Sequence, residues 1–158
     1  MFRELTRKKQ QLPAEECIDV LKTALRGVLA VNGDGGYPYA VPVNHYYDEE
    51  EGLLYFHGGK TGHKIDALRR DAKVSFAVFD EGHRNEGEWF LTFRSVIVFG
   101  IAEEVTDHDK AMDVSRKLSY KFTQDEAYID NEILHSGPGT LCFAIRPENI
   151  TGKLVRER

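Results

Sequence analysis

The feature that most constrains this chain is the alternation of apolar and polar residues in short runs punctuated by turn residues. Tyr37, Tyr39, Val41 and Val43 share one face of an extended segment over 37–47, and Val74, Phe76 and Val78 do the same over 73–79. Apolar runs at 27–32, 53–57 and 140–146 read as further strands. Residues 89–106 read as one long strand interrupted at Gly100, where a bulge or barrel corner is expected. Gly33-Asp34-Gly35-Gly36 and the acidic Asp48-Glu49-Glu50-Glu51-Gly52 supply turns. Helical spacing appears at 13–25 (Cys17, Val20, Leu21, Ala24, Leu25), at 65–70, from the N-cap Asp107 to 117, and more weakly at 125–135. Strands at hairpin spacing with helices between and at the ends predict a mainly β fold, a closed antiparallel barrel with peripheral helices. No repeat or linker divides the 158 residues, so residues 1–158 are expected to form a single domain.

The segment over 37–47 carries Pro38 and Pro42. Residues an even number apart aim their N–H groups at the same strand edge, so both prolines remove donors from one edge. Two readings stand: a simple edge strand, or a backbone surface kept open for a planar ligand. Further along, Val96-Ile97-Val98-Phe99 is apolar on both faces of an extended strand, so one face must be buried outside the core. A dimer contact is the expectation there.

Charge narrows the function. Lysine and arginine number 21 against 26 acids, a net −5, which argues against coating nucleic acid. No stretch has the apolar length of a membrane span, and the charged N-terminus is unlike a signal peptide. Cys17 and Cys142 have no CxxC partners and fall in apolar patterns, so both are read as core thiols of a cytoplasmic protein.

The densest constellation is His57-Gly58-Gly59-Lys60-Thr61-Gly62-His63-Lys64. It follows a strand and opens a helix near Gly62. Glycines let backbone N–H groups face a ligand, a helix start attracts anions, and Lys60, Thr61, His63 and Lys64 add charge and a hydroxyl. These residues fit a terminal phosphate monoester, or else a glycine-rich turn whose lysines only solvate it. The spacing is not that of a Walker A loop or a dinucleotide fingerprint. No metal motif or nucleophile elbow is present, and His45 is read as structural. Leu53, Tyr55 and His57 share one strand face and Leu54 and Phe56 the other. If Leu54 and Phe56 line the barrel, His57 points away from it, where it would position or protonate an anionic acceptor.

Taken in order, Gly27-Val28-Leu29-Ala30, Tyr37 through Asn44, Tyr55-Phe56-His57-Gly58 through Gly62-His63-Lys64, Phe93 through Gly100 and Thr151-Gly152-Lys153 resemble the pyridoxamine 5′-phosphate oxidase-related flavoproteins, in particular their nitroimidazole-resistance branch. The resemblance implies an antiparallel, Greek-key-like split β-barrel, and a homodimer with FMN at the subunit interface. It places Val41, Pro42, Val43 and Asn44 along the isoalloxazine ring, and Lys60, Thr61, Gly62, His63 and Lys64 at the phosphate. Arg94, Ser95 and Val96 approach the ribityl chain or ring, and Lys153 matches a C-terminal Gly-Lys. His57 matches the histidine beside substrate and cofactor, which makes it the candidate catalytic residue.

The tail Gly152-Lys153-Leu154-Val155-Arg156 lacks the Arg-x-His pattern that vitamin B6 oxidation uses in the oxidases proper. The implied activity is reduction of a small organic acceptor, nitro groups among the candidates, with electrons from NAD(P)H or another donor. The rivals are a flavin carrier or sensor without turnover, and a haem-binding barrel with His57 or His63 on iron.

Overall fold

The computed structural model describes all residues, Met1–Arg158. Six strands, β1 (Arg26–Asn32), β2 (Pro38–Asp48), β3 (Leu53–Gly59), β4 (Lys73–Phe79), β5 (Thr92–Glu104) and β6 (Thr140–Arg156), close a barrel in the order β1-β2-β3-β6-β5-β4. Every pairing is antiparallel. β4 lies beside β1, giving the spatial order 4-1-2-3 of a Greek key. The connection that carries the chain there contains α2 (His63–Arg70).

The alternation read in the sequence is the alternation of burial. Leu29, Val31, Leu54, Phe56, Phe76, Val78, Val96 and Val98 point into one core with Phe143 and Ile145. β3 is buried on both faces, because Tyr55 lies under α3 (His108–Ser119) in a second cluster with Ala111, Val114 and Cys142. α1 (Ala14–Thr23) packs on the barrel through Cys17, Val20 and Leu21. It ends two residues short of the expected boundary and leaves Leu25 exposed. Asp107 caps α3 by accepting the Lys110 N–H at 3.2 Å, and Asp125 caps α4 (Glu126–Ser136) at Tyr128 N–H, 3.0 Å.

β6 departs from the sequence expectation. It does not stop at Arg146 but runs through the tail, so Gly152 and Lys153 are strand residues opposite Val96 and Ser95. The register moves from Phe99↔Asn149 to Gly100↔Pro147, leaving Glu148 as the extra residue of a bulge. Pro147 sits at that irregularity, where a missing N–H is tolerated, so it does not end the strand. Gly100 is fixed there by space, since a Cβ would lie 2.5 Å from the Arg146 carbonyl oxygen.

The barrel opens at one seam. β2 pairs with β1 over Pro38 to Asn44 but with β3 only over His45 to Asp48. The Gly33 N–H donates to Tyr37 O at 3.0 Å, which sets the alternation of the hairpin. Tyr39, Val41 and Val43 therefore aim their N–H groups at β1, and Ala40 and Asn44 aim theirs at the open seam, where Pro38 and Pro42 have none to offer. The two prolines blank an edge that has no strand partner.

Candidate functional site

Across the seam from that edge stand the end of β3 and the start of α2. Gly62 N-caps α2 at φ 130°, a conformation that only glycine adopts readily, and its carbonyl accepts the Asp66 N–H at 3.0 Å. No side chain caps the helix, so its first-turn N–H groups keep their capacity to bind an anion. Lys60 and Thr61 are exposed beside it.

Lys64 is half-buried and without a carboxylate or hydrogen-bond partner. Its Nζ lies 5.8 Å from the centroid of the Phe56 ring, and 2.8 Å from where a Cβ on Gly58 would be. A side chain at 58 would displace it. Burial lowers the Lys64 pKa, the cost of holding an ammonium here with no counter-charge.

His63 turns the other way. Its ring stacks on Tyr39 at 4.2 Å, and Nε2 accepts the Asp34 N–H at 3.2 Å, so the ring proton resides on Nδ1. Arg70 adds a 2.9 Å bond to Asn32 O and a 3.2 Å ion pair with Asp34. His63 thus fastens α2 to the β1–β2 turn as well as standing at the helix start.

His57 points out of the barrel, as the strand alternation predicts. It meets a cavity of about 220 Å³ between β3, α3 and α4. Burial, and secondarily the charge of Lys64, lower its pKa. A lowered pKa disfavours the imidazolium, while the one ring N–H of a neutral imidazole still lets it position a ligand.

On β2, Val43 is buried in the core and Val41 is partly so, while Pro42 and Asn44 face outward. Asn44 Oδ1 accepts from Arg26 Nε at 3.3 Å. His45 is structural. It is fully buried, donates from Nε2 to Leu21 O at 2.8 Å, and is held neutral by burial and the nearby Lys121 charge, its pKa lowered to about 4.

The remaining residues lie elsewhere. Arg94, Ser95, Val96 and Lys153 are on β5 and β6, and β5 is three strands from β2 whichever way round the barrel one counts. Val96 is fully buried in the core. The Arg94 guanidinium is occupied, with Nε 2.9 Å from Asp80, Nη2 2.8 Å from Asp19 and Nη1 3.8 Å from Glu16. Lys153 faces no carboxylate within ion-pair distance. Within one chain the two groups do not meet. Beside the second group, Phe79, Ile97 and Phe99 are exposed on the outer faces of β4 and β5.

Sequence reasoning missed three features. The α3–α4 cavity depends on two helices meeting across a strand, which no local pattern reveals. Lys121 donates to Ala24 O at 2.7 Å and His45 O at 2.6 Å, contacts that span 97 and 76 residues. Asp80, the partner of Arg94, sits in sequence at the start of a polar loop with nothing to distinguish it.

A six-stranded antiparallel barrel that opens between two strands, with a glycine-rich cationic turn at the opening, places the chain among the split-barrel proteins. The sequence model of the pyridoxamine 5′-phosphate oxidase family matches residues 13–154, and the chain belongs to that family. Several solved structures share the fold. A proposed 5-nitroimidazole antibiotic resistance protein from Bacteroides thetaiotaomicron is 21% identical with TM-score 0.76, over 91% of this chain and 86% of that one. An FAD-binding protein from Mesorhizobium loti is 26% identical with TM-score 0.65, over 92% and 97%. An FAD- and haem-binding protein from Mycobacterium smegmatis is 23% identical with TM-score 0.71, over 94% and 74%. A comparison with curated proteins gives no match.

Proposed function

We propose that this protein is an FMN-dependent oxidoreductase that reduces a small organic acceptor with electrons from NAD(P)H. The observation that carries the reading is Lys64, a half-buried cation with no anionic partner, beside Gly58 and an uncapped helix start. A phosphate monoester supplies the missing charge, with Lys60 and Thr61 at its outer side. The unpartnered edge of β2 from Pro38 to Asn44 offers carbonyls and the Ala40 and Asn44 N–H groups to the polar rim of a flat ring. FMN, when bound, supplies the redox chemistry, and the protein supplies binding, orientation and access. His57 orients the acceptor as a neutral imidazole.

The reading includes a homodimer. Arg94, Ser95 and Lys153 face away from the seam of their own chain, so they reach a flavin only as contributions to a second subunit's site, whereas Val96 is buried in its own core. The exposed Phe79, Ile97 and Phe99 beside them supply an apolar face for that contact. Two buried, unpaired thiols suit a reducing, cytoplasmic setting. Residues 1–158 act as one domain in each subunit.

Flavin is favoured over haem by the histidines. His63 spends Nε2 on the Asp34 N–H, and the cavity that His57 faces, about 220 Å³, has no room for a porphyrin. The test is the absorbance spectrum of the purified protein, followed by NAD(P)H oxidation with a nitroaromatic acceptor. Flavin bands with acceptor-dependent turnover are expected. A Soret band overturns the flavin, and flavin bands without turnover leave a carrier.

A further inference from the structure

The cavity between α3 and α4 is chemically one-sided. Its walls are apolar at Met112, Leu118 and Ile133, and its mouth is flanked by Phe122 and Tyr128, which stay 44% and 56% exposed. No lysine or arginine lines it. Three of its hydroxyls spend their protons on carbonyls one helical turn back: Ser115 on Ala111 O at 2.9 Å, Ser119 on Ser115 O at 2.8 Å and Thr140 on Ser136 O at 2.7 Å. They turn lone pairs rather than protons to the space. Thr123 Oγ, also at the wall, is engaged by the Asp125 N–H at 3.1 Å.

Glu132 supplies the charge. It stands one turn after Tyr128 on α4, so both project from one face, and it forms no ion pair or hydrogen bond. Its acidic neighbours Glu126 and Asp130 are both taken by Arg116, at 3.1 and 2.5 Å. A free carboxylate one turn from Tyr128, in a cavity lined also by Phe122 and apolar side chains, is a set of groups that holds an organic cation.

We infer that the α3–α4 cavity binds a small organic ammonium with an apolar body, the cation between Phe122, Tyr128 and Glu132 and the body reaching toward His57. The volume, about 220 Å³, suits one ring with a short side chain. Binding of the amine stands on the cavity alone. That a ligand carrying both this ammonium and a separate reducible group, such as a nitro group, is the acceptor reduced by the protein rests on the flavin reading above.

The test is titration calorimetry of the purified protein at pH 7.5 with 2-phenylethylamine and its neutral analogue 2-phenylethanol. The amine is expected to bind about tenfold more tightly, as a cation–π contact together with the Glu132 carboxylate provides. Glu132→Gln, an exposed position whose change leaves the fold intact, is expected to erase that preference. Glu148→Gln, at the β6 bulge outside the cavity, is expected to keep it. Equal affinity for amine and alcohol, no amine binding at millimolar concentration, or a preference that survives Glu132→Gln overturns the inference. Flavin bands with no amine binding overturn this site alone. Amine binding by a protein without flavin overturns the redox reading and leaves the site standing.

Discussion

At the scale of single residues, the two histidines of β2 and β3 divide by what surrounds them. His45 has no route to water and a carbonyl to donate to, so it stays neutral with a pKa of about 4 against an ordinary 6.5. A base whose folded pKa is depressed contributes fully above pH 6.5. That contribution is lost as pH falls from 6.5 toward 4, where the unfolded chain binds the proton and the folded one does not. The loss is about 3 kcal/mol by the usual conversion of a pKa difference. Urea midpoints of wild type and His45→Asn at pH 7 and pH 4.5 check this. The variant is expected to lose less stability between those pH values, and parallel losses would show that His45 does not carry the proton. His57, by contrast, opens on a cavity, and His57→Ala is expected to keep the thermal midpoint and the flavin while acceptor reduction falls. Unchanged turnover with flavin in place makes His57 structural.

Elements show what a sequence conveys and what it withholds. The strands were legible because alternation is local, and so were the caps at Asp107 and Asp125, where one carboxylate meets an N–H three residues on. The open edge of β2 was legible from Pro38 and Pro42, since a missing donor is a property of the residue itself. The extent of β6 was not, because its second half exists only by pairing with β5 across the Pro147 bulge. The role of Arg94 was equally hidden, as its partners Asp19 and Asp80 lie 75 and 14 residues away. For α2 the decisive position is Gly62, at φ 130° and ψ 171°. Gly62→Ala is expected to destabilise the fold by about 1–3 kcal/mol, the range for forcing a side chain into such a conformation. Chemical denaturation measures it, and a loss below a few tenths of a kcal/mol would mean the turn relaxes freely.

For the whole molecule, the barrel presents a seam on one side and an apolar face with Lys153 near it on the other. In the proposed dimer, one flavin touches both only where two chains meet, and that reading couples assembly to cofactor binding. Sedimentation at micromolar concentration is expected to give a dimer, and Ile97→Glu, which places a charge on the exposed face, is expected to shift it to monomer and release flavin together. A wild-type monomer that still binds FMN tightly contradicts the coupling. The central claim, that the Gly58 to Lys64 turn holds a phosphate, is tested most directly by titrating FMN and riboflavin into wild type and Lys64→Ala. The variant is expected to lose about 1.5–3 kcal/mol of FMN affinity, the worth of a charge-assisted contact, and almost none for riboflavin. Equal weakening of both ligands, or of neither, would contradict it.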